Sequence, residues 1–204
     1  MRQKSYTLIF LVLALSLFAC SKRAMIRKFY LLETPGTVTP ITVAHQVPFL
    51  VDVRDFKVSK AFDQTRIAIR TKSHELNYYY YHHWAVKPSS AIADMIFQLI
   101  DNSGLFQRCA RGYTFNPDYI ITGRINTIER LYIKETESAH LSGVFELVDV
   151  KNDSLAIRNE FDKEVLLEDK SMNGFAVAIS NIITDQTENF IKKMETYFSE
   201  RKFH

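Results

Sequence analysis

Three long runs rich in Ile, Val and Leu restrict the possible folds of this 204-residue chain more than any other feature. They cover residues 119–133, 138–150 and 155–167, and turn-forming residues such as 151–154 separate them. Runs of this composition form strands, and consecutive strands joined by short turns pair antiparallel. The sequence therefore predicts a sheet that contains an antiparallel meander.

Two amphipathic helices are predicted as well. The first opens at Pro88 and stops at Gly104, and its apolar residues recur every three to four positions. The second extends from about Asn173 to Phe198 with the same period. Each helix thus has one apolar face, which is stable only when it packs against another layer.

Shorter strand-like runs occupy residues 29–32, 47–58, 65–71, 76–84 and 105–109. The third and fourth of these flank a loop of hairpin length, so we expect them to pair antiparallel. Strands, one helix, more strands and a long final helix are typical of the α+β class. We expect a two-layer fold, with an antiparallel or mixed sheet of about six or seven strands and two helices packed on one face.

The amino terminus has the pattern of a secretory signal. Arg2 and Lys4 precede an uncharged stretch, residues 5–19, with an apolar centre. A membrane span needs about 20 apolar residues, and this stretch is shorter. We expect residues 1–19 to be removed, which lowers the formal net charge from +3 to +1. A charge so near zero lacks the basic surface that nucleic-acid binding requires.

The stretch ends in Leu-Phe-Ala-Cys at residues 17–20, which resembles the lipobox of bacterial lipoproteins. The resemblance implies cleavage before Cys20 and acylation of its thiol and amine. Residues 20–28 would then form a lipidated tether and residues 29–204 a single domain. Ser21 stands where an Asp would signal retention at the inner membrane, so the resemblance favours the outer membrane. The alternatives are an ordinary signal peptide with a chance cysteine and a membrane-anchored N-terminus that is never cut.

Cys109 is the other of the two cysteines, so acylation of Cys20 leaves no intramolecular disulfide. Its strand-like surroundings indicate a half-buried structural thiol. The alternative is a reactive or intermolecularly bonded thiol, because Arg108 and Arg111 lie nearby and cations lower the pKa of a thiol.

No motif for catalysis, for a metal or for a cofactor emerges from the sequence. His74 and Glu75 begin like a zinc-protease motif, but Tyr78 occupies the position of the second histidine. His82 and His83 are adjacent in a predicted strand and would point to opposite faces. The six glycines form no phosphate loop or dinucleotide fingerprint. We therefore predict a protein that is not an enzyme, with no catalytic residues, no metal site and no cofactor.

The run from Tyr78 to Trp84 contains four tyrosines, two histidines and a tryptophan. Strict strand alternation places Tyr79, Tyr81 and His83 on one face and the other side chains, Trp84 included, on the opposite face. Because tyrosine suits partly wet interfaces, Tyr79, Tyr81 and His83 form a candidate interaction surface for a protein or a lipid. The alternative is that the aromatic residues fill the core between sheet and helices.

The order of these elements resembles the ABC-type transport auxiliary lipoprotein family. Its members are outer-membrane lipoproteins that accompany lipid-transport systems of the paraquat-inducible and mammalian-cell-entry kind. The matching stretches are packing and turn patterns that together cover nearly all of the mature chain: 29–32, 49–50, 66–70, 75–78, 84–85, 88, 103–106, 118–125 and the final helix.

This resemblance implies a non-enzymatic cell-envelope lipoprotein that is an auxiliary component of an ABC-type intermembrane lipid transport system. It implies a position at the periplasmic face of the outer membrane, held there by acylated Cys20. The expected partners are a periplasmic lipid-transport protein of the mammalian-cell-entry type and further copies of the chain, and no nucleic acid. The alternative is an envelope assembly or lipid-binding lipoprotein of the same fold without a transporter partner.

Overall fold

A computed structural model of the protein describes residues 26–34, 43, 45–112 and 116–201. Cys20 and the predicted signal lie outside the described residues. The described part contains nine strands and two helices. Their bounds are β1 Lys28–Tyr30, β2 Val47–Val53, β3 Lys57–Val58, β4 Arg66–Lys72, β5 Glu75–Trp84, α1 Pro88–Ser103, β6 Phe106–Arg111, β7 Tyr119–Ile133, β8 Thr136–Asp149, β9 Ser154–Leu166 and α2 Met172–Glu200.

The nine strands form one mixed sheet in which β7 is central. β8 pairs antiparallel with β7 along its whole length, and β9 pairs antiparallel with β8. On its other side β7 pairs with three strands in succession, all parallel: β2 at residues 119–121, β3 at 124–125 and β4 at 130–131. β6 lies beyond β2, while β5 and then β1 lie beyond β4. The sheet therefore divides into two branches on one side of β7.

The predicted α+β class, the mixed sheet and the two helices are confirmed, but the expected number of strands is too low. The run 47–58 is one reason, because it forms two strands rather than one. After Val53 the amide of Arg54 donates to the carbonyl of Ile121 at 2.9 Å, and the amide of Phe56 donates to the carbonyl of Ser89 at 3.2 Å. Between Arg54 and Lys57 the chain does not pair with β7, and Phe56 in this interval is buried, with 2% exposure. The chain then pairs with β7 again as β3.

One face of the β7–β8 ladder forms the centre of the core, where Ile125 and Phe145 are fully buried. Gly123 is opposite Phe145 in the register. A Cβ at Gly123 would lie 2.1 Å from the carbonyl oxygen of Val144 and 2.6 Å from the ring of Phe56. A glycine is therefore required for Phe56 to pack directly on the ladder.

Both helices contribute to the same buried cluster as this sheet face. α1 has Pro88 in its first turn and is followed by Gly104, whose φ of 68° is the left-handed conformation typical of a helix C-cap. α2 begins after Ser171, whose side chain accepts a hydrogen bond from the amide of Gly174 at 3.0 Å. With 29 residues α2 is about 44 Å long, and it contacts β8, β9 and α1. The helices form the second layer.

Replacing Ile96 by Asp should lower the free energy of unfolding by about 3 kcal/mol or more. Ile96 is fully buried on α1, and a carboxylate there would lose its hydration without gaining a partner. Urea denaturation of the purified variant measures the effect. Gln98→Asp, which adds the same charge on the exposed side of α1, is the matched control and should change stability little. An Ile96→Asp protein as stable as wild type would contradict the orientation of α1.

Candidate functional site

The aromatic run lies on β5, next to the strand that continues the predicted tether. β1 pairs in parallel with the end of β5, with Lys28 opposite His82 and Tyr30 opposite Trp84. The Tyr30 hydroxyl and His82 Nδ1 are in hydrogen-bond contact at 2.8 Å. Burial, followed by the nearby cations Lys28 and Arg130, lowers the pKa of His82. A neutral His82 therefore helps to hold β1 on the sheet.

Strict alternation fails within the run. Ala68 of β4 pairs with Tyr78, whereas Arg66 pairs with His83, so two steps along β4 correspond to five along β5. The extra residues form a bulge, which bends the strand and changes the direction of its side chains. Tyr80, which alternation places on the same face as Trp84, is 68% exposed, while Trp84 is 2% exposed.

The three predicted contact residues do not form one exposed face. Tyr79 is half-buried against the core, with its ring 5.4 Å from that of His82, and burial raises the pKa of its hydroxyl. Tyr81 is half-buried, with its ring 4.8 Å from that of Tyr80. His83 is 8% exposed, and its Nε2 is 3.1 Å from the carbonyl oxygen of Tyr80. The role of Tyr79, Tyr81 and His83 in association stays a prediction, and the accessible part of the run is Tyr80 with Tyr81.

A row of charged side chains connects four strands. Arg70 Nε of β4 donates to Glu129 Oε1 of β7 at 2.9 Å. His140 of β8 contacts the same oxygen through Nδ1 at 3.3 Å, and through Nε2 it contacts Asp162 Oδ1 of β9 at 2.8 Å. We call Arg70, Glu129, His140 and Asp162 the ionic row.

The electrostatics of the ionic row favour the charged forms. Burial opposes ionisation of Glu129, which is 1% exposed, but hydrogen bonds from His140 and Arg70 outweigh it and lower the pKa of Glu129. The hydrogen bond to Glu129 raises the pKa of His140, against the effect of burial, and the hydrogen bond to Asp162 raises it further. Glu129 is thus an ionised carboxylate held between Arg70 and His140, whose charged form it favours. Such a group stabilises the sheet and is poorly suited to act as a general acid or base.

Sequence analysis did not identify the ionic row. Glu129 and Arg130 interrupt the long apolar run of β7, and charged residues inside a strand seldom become buried without partners. That interruption was the available signal. The interruption does not predict which residues contact Glu129, because Arg70 and Glu129 are 59 residues apart in the chain.

Cys109 is a half-buried thiol, as the sequence indicated. The alternative, in which its basic neighbours lower its pKa, is contradicted by its surroundings. Burial, with smaller effects of Asp101 and Asp52, raises the pKa of Cys109 to about 12. Arg111 instead binds Asp55 at 2.5 Å and Asp94 at 2.7 Å. The thiol therefore stays protonated and is a poor nucleophile.

The histidines and acids of the described ranges form no group of three that could hold a metal ion. His74 lies in the exposed β4–β5 turn, where its Nδ1 contacts the hydroxyl of Ser73 at 2.9 Å, and Glu75 pairs with Lys72 at 3.0 Å. Neither α1 nor α2, the helices of the described part, has the length and apolar character needed to cross a membrane.

Comparison with known proteins identifies the family of the chain, which the geometry of these residues does not. The sequence pattern of the ABC-type transport auxiliary lipoprotein component matches residues 30–189, which begin within β1 and end within α2. The chain belongs to this family. An auxiliary transport lipoprotein is a membrane-anchored component of the cell envelope and in general not an enzyme. None of the curated proteins matches the sequence.

Solved structures share the fold of this auxiliary lipoprotein at low sequence identity. Protein XCC0632 from Xanthomonas campestris has 18% identity and a TM-score of 0.69, over 85% of this chain and 98% of that one. A protein described as uncharacterized has 12% identity and a TM-score of 0.62, over 83% and 99% of the two chains. Protein CT253 from Chlamydia trachomatis has 8% identity and a TM-score of 0.50, over 76% and 100%. At these identities the likeness establishes the fold alone.

The free energy of unfolding should depend on pH because His140 of the ionic row titrates. Because the pKa of His140 is raised by folding, its stabilisation is complete below the ordinary value of 6.5 and is lost as the pH rises through the raised pKa. His140→Gln should therefore destabilise the protein most at or below this pH, and the difference from wild type should shrink at higher pH. Urea denaturation at a series of pH values measures both proteins.

His74→Gln is the control for loss of an imidazole, because His74 is exposed in the β4–β5 turn. His82 titrates with the opposite sign, since its pKa is lowered, and its contribution cancels when each variant is compared with wild type. The opposite result is that the free energies of unfolding of His140→Gln and wild type differ by the same amount below pH 6.5 and above the raised pKa of His140. That result would show that the protonated His140 does not stabilise the sheet.

Proposed function

We propose that this auxiliary lipoprotein is a non-enzymatic component of an ABC-type system that moves lipid between membranes. It is anchored through Cys20 at the periplasmic face of the outer membrane and binds a periplasmic protein of the mammalian-cell-entry type. The family match over residues 30–189 carries the proposal, because it includes most of the two-layer fold and begins ten residues after Cys20.

The anchor is supported by the sequence around Cys20. In the proposed mature protein residues 1–19 are removed, residues 20–28 form the tether and residues 29–204 form the domain. One acyl chain binds a membrane only marginally, whereas several together bind it stably. Acylation of both the thiol and the amine would therefore keep the protein at its membrane. Ser21 in place of an Asp supports the outer membrane.

Partner binding and self-association are supported by two open features of the sheet. Tyr80 and Tyr81 expose aromatic surface on β5, beside the strand that leads from the tether. β9 pairs only with β8 among the described strands, so one edge of this 13-residue strand is open to another chain. Open strand edges and exposed aromatic side chains are common contact sites in assemblies.

Cys20→Ser should move the mature protein from the membrane fraction to the soluble fraction, because it removes the acyl chains. Fractionation after removal of peripheral proteins, with intact-mass measurement, detects both changes. Cys109→Ser removes the other cysteine and is the matched control, which should stay acylated and membrane-bound. Signal-cleaved Cys20→Ser protein that remains in washed membranes would refute the anchor.

Replacing Tyr80 and Tyr81 together by Ser should reduce capture of the transport partner about tenfold or more with little loss of stability, because aromatic residues at the centre of an interface contribute most of its energy. The test is co-purification of tagged, full-length protein from mildly solubilised membranes, with melting temperatures measured in parallel. Tyr79→Ser is the control: Tyr79 packs against the core, so its loss should lower the melting temperature.

The proposal predicts that wild-type protein co-purifies with a mammalian-cell-entry type protein and that the double variant captures about one tenth as much of it or less. Equal capture by both proteins would place the contact surface elsewhere. Bound lipid without any transporter protein in the wild-type sample would refute the transport role and support the alternative, a lipid-binding envelope lipoprotein.

A further inference from the structure

The segment next to the tether exposes an unusual amount of apolar surface. Ile26, Phe29 and Leu31 are 79, 62 and 55% exposed, which makes them three of the five most exposed large apolar side chains of the described residues. They fall within six consecutive residues. Single exposed apolar residues are normal on proteins, but a group of this density marks a contact surface.

These side chains belong to a surface wider than β1. Phe29 and Leu31 line one side of a depression of about 370 Å³, and Val177 of α2, itself 47% exposed, lines the other. Glu33 and Asn173 contribute polar groups to the same depression. We call Ile26, Phe29, Leu31 and Val177 the apolar patch.

The length of the tether determines what can cover the apolar patch. Ile26 is the first described residue and lies six residues after Cys20. Six residues span at most about 20 Å when fully extended. Acylation of Cys20, on which this inference rests, therefore keeps Ile26, the first residue of the patch, within about 20 Å of the bilayer surface.

Charge complementarity also points to a membrane. Residues 22–28 contain four basic side chains, Lys22, Arg23, Arg27 and Lys28, and no acidic one. Each basic residue near an anionic bilayer contributes about 1 kcal/mol of attraction. A second copy of the chain packed on the patch would bring its own Arg27 and Lys28 close to those of the first copy, and the like charges would repel. Aromatic and aliphatic side chains flanked by Lys and Arg are typical of segments that lie in the membrane interface.

We propose that the apolar patch inserts into the interfacial region of a bilayer containing anionic phospholipids, so that the protein is bound to its membrane by a protein surface as well as by its acyl chains. Such insertion buries side chains by about 5–10 Å. It fixes the orientation of the domain, because Phe29 is paired with His83 across the β1–β5 ladder. The β1 side of the sheet then faces the membrane, and the start of β7 near Tyr119 faces away from it.

The test is the fluorescence of Phe29→Trp in full-length, acylated protein reconstituted into phosphatidylethanolamine–phosphatidylglycerol vesicles whose acyl chains carry bromine. Trp84 is the single native tryptophan and is 2% exposed, so wild-type protein supplies the background. Leu155→Trp is the matched control. Leu155 of β9 is 52% exposed and pairs with Val148 of β8, which in turn pairs with Ile120 at the start of β7. The β4, β5 and β1 branch joins β7 near its other end, at residues 130–131.

We expect the emission added by Phe29→Trp to shift to the blue and to lose most of its intensity on brominated lipid, while the emission of Leu155→Trp stays unquenched. Quenching of neither tryptophan, or equal quenching of both, would overturn the inference. A blue shift of Phe29→Trp without quenching would overturn it too, because the patch would then be covered by protein.

The mass of Cys20 is measured in the same samples, so that failure of the anchor and failure of the patch are distinguished. Acylated protein without quenching refutes the patch and leaves the proposed anchor intact. Quenching of Phe29→Trp in protein that binds vesicles without acylation supports the patch and refutes the anchor.

Discussion

The hydrogen-bonded ladder between β7 and β8 is the contact on which the rest of this structure depends. It continues through the whole of β7, and its buried face supplies the centre of the core. A strand of 15 residues leaves many backbone groups unpaired on its other edge. β2, β3 and β4 satisfy them in turn, each over two or three residues. The sheet branches because β7 is longer than each of the three strands that pair along this edge.

The aromatic run connects the edge strand β1 to the core. β1 has three residues and, among the described strands, pairs with the end of β5 alone, where Tyr30 contacts His82. Two residues further, Trp84 packs against Phe175 of α2, with ring centroids 5.8 Å apart. The run therefore has a structural role at its carboxyl end and an accessible surface in its bulge.

Two reactive groups of the described residues, Glu129 and Cys109, are buried or half-buried in the fold. Glu129 is ionised between Arg70 and His140, and burial keeps the thiol of Cys109 protonated. The accessible features are of another kind, namely exposed apolar and aromatic side chains and an open strand edge. Surfaces of this kind bind membranes and proteins, which agrees with the auxiliary role of the family.

The sequence by itself determined the elements whose signals are local. The helix periods, the meander and the β4–β5 hairpin depend on residues two to four positions apart or on short turns, and each could be predicted. The resemblance of residues 17–20 to a lipobox likewise depends on adjacent residues. Only the tertiary structure decided the division of the run 47–58, the outward position of Tyr80, the partners of Glu129 and the raised pKa of Cys109. These depend on strand register and burial, which arise from contacts between residues far apart in the chain and leave no periodic trace in it.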